Sequence, residues 1–327
     1  MSFISKAHRG LPAIGAVAAV CLTAGWAVAQ EDATVAVSAI VEHPALDAAR
    51  DGILDVLTEN GYVEGENLEF IYQTAQGNPA TAAQIARQFV GQNPSVLVPI
   101  STPSAQAMAS ATQEHPIVFT AVTDPIGAQL IVNADEPGGN ITGLSDMSPL
   151  ADHLDLIKEF LPDASAIGVP YNPGEANAVT LVTTLTEMAP EWGLTIVEAA
   201  APRSADVLGA AQSLVGQVDA IYVPTDNTIV SALEAVLSVG QDSGVPVFSG
   251  DTDSVERGAV ATVGFDYYQI GRQTGEIVLQ VLGGEHPSTI PVTIASGSDL
   301  FVNPAAAEAM GIEVPQAVLD RATVIVE

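Results

Sequence analysis

Five segments of this chain end a short apolar, β-type run in small polar side chains: residues 98–106, 118–125, 169–177, 221–228 and 247–253. Hydroxyls, amides and carboxylates crowd these ends, and neither lysine nor arginine occurs in them. In an open parallel sheet, ligands bind beyond the carboxyl ends of the strands, where loop side chains and helix N-termini converge. The five segments therefore predict one polar cleft assembled from distant parts of the chain. Ser101, Thr102 and Ser104 surround a helix start and suit a carboxylate, with Gln106 one turn further on. Asp226, between Thr225 and Asn227, either caps the following helix or meets a ligand ammonium, if Asn227 or Thr228 takes over the capping. Thr123 and Asp124 read equally as an Asx-type turn or as contacts. Asn172, Glu175 and Asn177 flank Pro173-Gly174, and Asp251 reads chiefly as a helix cap. Tyr171 and Tyr267 are candidate walls, since a cleft needs apolar surface beside its polar anchors.

The remaining inventory narrows the chemistry. Lys158 is the only lysine after residue 29, the sole cysteine is Cys21, and the histidines are scattered. No His-x-x-x-His pair, Gly-x-Ser-x-Gly elbow or phosphate-binding glycine loop with lysine occurs. No catalytic residue, metal-ligand set or cofactor is identified. The balance of 9 Lys+Arg against 39 Asp+Glu, a net charge of −30, argues against nucleic acid or an anionic membrane as partner.

The elements that must position these residues alternate along the chain. Strands at 34–40, 68–72, 96–100 and 117–122 are separated by helices opening at Pro44, Ala80 and Thr102. After Pro137-Gly138-Gly139-Asn140, a second series follows: helices 150–161, 176–188, 205–214 and 230–239 with strands 166–169, 195–198, 220–223, 245–248 and 260–264. A helix from Tyr267 carries Ile270, Thr274, Ile277 and Val281 on one stripe, and 291–294 is a late strand. The tail has two short amphipathic pieces, at 305–310 and 315–319. This rhythm predicts an α/β protein with parallel sheets covered by helices on both faces, and 327 residues suit two lobes.

Eight motifs in one order then resemble the ABC-transporter substrate-binding proteins of the tryptophan/tyrosine-binding type, which have a type I periplasmic-binding-protein fold. They are His43-Pro-Ala-Leu-Asp47, Gly61-Tyr-Val-Glu-Gly65, Thr102-Pro-Ser-Ala-Gln106, Phe119-Thr-Ala-Val-Thr-Asp-Pro125, Pro137-Gly-Gly-Asn-Ile-Thr-Gly143, Tyr171-Asn-Pro-Gly-Glu-Ala-Asn177, Thr225-Asp-Asn-Thr228 and Gly271-Arg-Gln-Thr-Gly275. Ala178 stands where that family often has serine. The resemblance implies two doubly wound lobes joined by a hinge of three crossings. The first would hold 30–142 and about 265–295, the second 143–264 and about 296–327. It also implies capture of a small solute by lobe closure, an amino acid and an aromatic one by type. The captured solute would be delivered to an inner-membrane ABC permease by a monomeric, non-enzymatic receptor. A sugar is the alternative solute, and a periplasmic enzyme the alternative activity.

The first 29 residues read as a secretory leader. Lys6, His8 and Arg9 precede an apolar run over 11–26, and Ala27-Val28-Ala29 is a small-x-small cleavage site. Val20 before Cys21 does not suit lipid attachment, so the expectation is a periplasmic protein. The exported form is expected to begin at Gln30 and to carry no lipid; an intact mass showing diacylglycerol on Cys21 would overturn this.

Overall fold

The computed structural model describes residues 1–4, 32–297 and 299–326; the expected leader, including its cleavage site, lies outside the described residues. Among the described residues, no helix is long and apolar enough to cross a membrane.

The chain begins with β1 (Ala33–Ala39), α1 (Pro44–Glu59), β2 (Leu68–Thr74), α2 (Pro79–Gln92), β3 (Val96–Ile100), α3 (Thr102–Ala111), β4 (Ile117–Phe119) and β5 (Ile141–Ser145). It continues with α4 (Leu150–Phe160), β6 (Ala166–Tyr171), α5 (Ala176–Met188), β7 (Thr195–Ala200), α6 (Val207–Leu214) and β8 (Ala220–Val223). Next come α7 (Asn227–Val230), α8 (Leu233–Ser243), β9 (Val247–Ser249), α9 (Thr252–Glu256), β10 (Ala261–Gly264) and α10 (Tyr267–Leu282). The chain closes with β11 (Thr293–Ile294), β12 (Asp299–Val302), α11 (Pro304–Ala309), α12 (Gln316–Leu319) and β13 (Val324–Ile325).

Side-chain alternation explains the first lobe. Its sheet runs in the order β11-β5-β4-β3-β1-β2, with every pairing parallel. Val35, Val37, Val96 and Val98 point to one face and pack with Leu46, Ile53, Ile270 and Val278 of α1 and α10. Ala36 and Leu97 point to the other and meet Ala86 and Phe89 of α2 and Met108 of α3. Strands buried on both faces read as near-continuous apolar runs, and this is why they were visible in sequence. The second lobe has a parallel sheet, β7-β6-β8-β9, over a core that includes Leu154, Leu181, Tyr222 and Phe248. Val260 N–H donates to the Val247 carbonyl at 2.7 Å, tying β9 to a smaller sheet, β10-β12-β13. Ile141–Ser145 keeps its register with β4 and β11, so the chain leaves the six-stranded sheet only after Ser145.

Three details depart from the sequence reading. The expected helix over 230–239 is two pieces, α7 and α8, broken at Ser231-Ala232. The fourth strand stops at Phe119 because Ala121 takes φ 53°, outside strand geometry. The short strands β12 and β13 had been missed, since runs of four and two residues carry little periodicity.

Helices α1 and α10 approach closely because both present glycine. A methyl group at Gly271 would collide with the Ala49 carbonyl, and one at Gly52 with the Tyr268 carbonyl. Gly91, in the last turn of α2, faces open space instead. We expect Gly271→Ala to lower stability by about 1–3 kcal/mol through overpacking. Gly91→Ala should raise it by about 0.4–1 kcal/mol through reduced chain entropy. Denaturant midpoints for the two variants check the pair; equal shifts would show that the helix contact is not tight.

Candidate functional site

The strand order places three loop ends side by side on the first lobe, after β4, β3 and β1. They carry Ala121, Ser101 and His43. The second lobe contributes the ends of β6, β8 and β9, which carry Asn177, Thr225 to Asn227, and Asp251. Between the lobes lies a nearly filled cleft with a free volume of about 20 Å³, room for roughly one water molecule. His43, Ala45, Leu46 and Ala121 line it from the first lobe; Asn177, Thr225, Asp226, Asn227, Val230 and Asp251 line it from the second. Asp146 and Tyr267, each just beyond a strand at a crossing between lobes, complete it.

The electrostatics are one-sided. Asp146, Asp226 and Asp251 are all buried, and neither lysine nor arginine is among the described lining residues. Each carboxylate is held by neutral donors. Asp146 accepts from the Tyr267 hydroxyl at 2.6 Å and from the Thr123 hydroxyl at 3.2 Å. Asp226 accepts the Thr228 and Ile229 N–H groups at 2.9 and 3.0 Å on one oxygen and the Asn172 N–H on the other. Asp251 accepts the Ser254 N–H at 2.8 Å and its hydroxyl at 2.7 Å. Burial raises all three pKa values; for Asp226 the charge of Glu175 adds to it, and the rise is large. Burial likewise keeps the Tyr267 phenol protonated as a donor. His43 is held neutral: burial, then the charge of Arg257, pushes it down to about 3.

A second feature is unsatisfied hydrogen-bonding capacity. The hydroxyls of Ser101, Thr102, Ser104 and Thr225, the Asn177 amide oxygen and His43 Nδ1 are buried without a hydrogen-bond partner among the described residues. Buried polar groups are normally paired, so such a concentration marks a place built for something else to bind. Ser101 also sits at φ 84°, ψ 155°, a region that is essentially glycine-only and costs on the order of 1–3 kcal/mol.

Of the residues singled out in the sequence, Asn177, Thr225, Asp226, Asn227, Asp251 and Tyr267 line the cleft. Ser101, Thr102 and Ser104 are buried at the start of α3 with free hydroxyls, although they are not part of the cleft lining. The others are placed elsewhere. Gln106 donates to the Ala128 carbonyl at 3.1 Å and fastens α3 to a loop. Asp124 closes a turn by accepting the Gly127 N–H at 2.8 Å. Thr123 reaches the site only through Asp146. Tyr171 donates outward to Glu198 at 2.7 Å. Asn172 and Glu175 are spent on α7: Glu175 accepts from the Thr228 hydroxyl at 2.7 Å and from the Asn227 amide, and the Asn172 amide donates to Thr228 Oγ1 at 2.8 Å.

Asp226 itself caps α7, so the idea that Asn227 or Thr228 would free it from capping is corrected. Arg272 pairs with Glu59 at 2.7 Å on the outside. Sequence reasoning had left out His43 and Asp146. Asp146 follows the end of β5, which is of the same polar type, and extending the pattern to it would have found that residue; His43 follows the apolar Ile40-Val41 after β1 and carries no such signal.

The model of the ABC transporter substrate binding protein family matches residues 34–326. A curated tyrosine-binding protein of Clostridioides difficile is 39% identical over 269 residues, covering 82% of this chain and 78% of that protein. The crystal structure of an ABC domain in complex with L-Trp from Streptococcus pneumoniae superposes with a TM-score of 0.87 at 35% identity, covering 90% of this chain and all of that one. The ligand-free, open structure of a substrate binding protein from C. difficile, at 37% identity and the same coverage, gives only 0.67.

Asp253, near the cleft, generates a pH expectation. Its pKa is raised to about 7 by burial and by the charges of Asp251, Glu256 and Asp266. A carboxyl that holds its proton more tightly when folded contributes stability fully at pH below its unfolded pKa of about 4. That stability is lost as pH rises towards 7, by at most about 1.4 kcal/mol per pH unit. Asp253→Asn should therefore be more stable than wild type at pH 7–8, and the gap should close near pH 4. Melting curves that stay parallel across that window would contradict it.

Proposed function

We propose that this chain, which belongs to the family of ABC transporter substrate binding proteins, captures an amino acid with an apolar, aromatic side chain between its lobes. The observation that carries the reading is the set of three buried carboxylates, Asp146, Asp226 and Asp251, in a cleft whose described lining offers no cation. A ligand ammonium would supply the missing charge, and a charge-assisted hydrogen bond is roughly twice as strong as a neutral one. The free hydroxyls of Ser101, Thr102 and Ser104, at the N-terminus of the ten-residue α3, suit the α-carboxylate. Ala45, Leu46, Ala121 and Val230 form apolar wall for a side chain. The relatives named for tyrosine and solved with L-Trp point to the same class.

On this reading the protein works as a monomeric receptor without turnover, in the periplasm after cleavage behind Ala29, and passes its solute to an inner-membrane permease. Its lobes comprise 30–142 with about 265–295, and 143–264 with about 296–327. The sheet memberships support this division except at 143–145, which stay in the first sheet. Closure is a population shift, because the ligand can touch both lobes only in the closed form.

Thermal denaturation with candidate solutes tests the reading. At 100 times its dissociation constant a ligand stabilises the folded state by about 2.7 kcal/mol. At roughly 2–4 °C per kcal/mol, L-Trp, L-Tyr or L-Phe should raise the melt by about 5–10 °C. Glucose, ribose, phosphate and glutamate should leave it flat. Asp226→Asn should weaken amino-acid binding by about 1.5–3 kcal/mol. A sugar that shifts the melt while every amino acid fails would sink the assignment.

A further inference from the structure

His43 is a polar group that the ammonium and carboxylate anchors do not use. It ends the loop after β1, precedes Pro44 at the start of α1, and lines the cleft together with Ala45 and Leu46. It is 9% exposed, its Nδ1 finds no partner among the described residues, and it makes no side-chain cap for α1. Held neutral by burial, it is no counter-ion for the three acids. In the tautomer with its proton on Nε2, the imidazole carries its one ring lone pair on Nδ1, and a buried lone pair there is satisfied by an incoming N–H or O–H. Leaving such an acceptor unpaired in a dry site costs far more than a missing methylene, so it discriminates strongly between ligands.

We infer that His43 is a specificity-determining residue that reads the tip of the ligand side chain, selecting an aromatic amino acid whose ring carries a hydrogen-bond donor (an indole N–H or a phenol O–H) over the same shape without one. The inference rests on the amino-acid reading above and adds to it the chemistry of the side chain. His43 shares its stretch of wall with apolar Ala45 and Leu46, where a side chain would lie, and this is why its partner is sought on the ring.

Calorimetric titration with two matched pairs tests it: L-Trp against L-3-(3-benzothienyl)alanine, in which sulfur replaces the N–H, and L-Tyr against L-Phe. Wild type should prefer the donor-bearing member of at least one pair by about tenfold or more. His43→Leu should bring that pair within about threefold, chiefly by losing affinity for the donor-bearing member. His43→Gln, which keeps an acceptor, should restore part of the preference and guards against a folding defect in the leucine variant. Equal affinities within both pairs for wild type, or a preference that survives in His43→Leu, would overturn the role of His43 while leaving the amino-acid reading intact. Wild type that binds none of the four would overturn that reading, and this inference with it.

Discussion

The burial of Asp226 is the constraint on which the second half of the cleft depends. A carboxylate this deep is tolerated only if its oxygens are well supplied with donors. Here three backbone N–H groups, from Asn172, Thr228 and Ile229, converge on it. Those bonds fix the loop after β6 against the loop after β8, and Glu175 repeats the tie through Asn227 and Thr228. The four residues of α7 are too few to persist alone, and this network is what holds them. On the proposed reading, capping and ligand recognition are therefore joint properties of one group. A carboxylate whose position is already fixed loses little further freedom when an ammonium arrives.

The first half of the cleft is organised by the opposite condition. There the polar atoms are positioned but left unpaired, and Ser101 is kept in a strained conformation by the bonds around it. Its N–H donates to the Thr120 carbonyl at 3.0 Å, and its carbonyl accepts from Ala105 at 3.0 Å. The first bond ties Ser101 to the chain just after β4 and the second to the first turn of α3, so the strain is held between the sheet and the helix and not by a free loop. Asp146 and Tyr267 link the halves, since each stands at a crossing between lobes and their hydrogen bond spans 121 residues of sequence.

Much of this was legible in the sequence because parallel strands and strand-end loops leave local signals. The apolar runs of the strands gave the fold, and the polar residues after β6, β8 and β9, with Tyr267 after β10, gave six of the cleft residues. What stayed hidden was long-range. Nothing local distinguishes Asp226, which faces the cleft, from Asp124, which closes a turn, since both are acids just past a strand. Tyr171 and Tyr267 are both aromatic residues near strand ends; one donates outward to Glu198, and the other donates inward to Asp146. His43 was passed over because a lone histidine before a proline reads as loop, and only its burial shows otherwise.

Acid-lined clefts have a cost when closed, and it bears on how such a receptor works. Three buried carboxylates with raised pKa values favour taking up protons or opening to water when no cation is present. The same three acids favour closure once an ammonium neutralises part of their charge. The Thr225 hydroxyl, which lines the cleft without a partner among the described residues, acts in the same direction, since leaving it desolvated costs about 1–3 kcal/mol. Charge and hydrogen bonding thus both penalise empty closure. On the proposed reading, a ligand that brings both a cation and an acceptor relieves both penalties, as a zwitterion does.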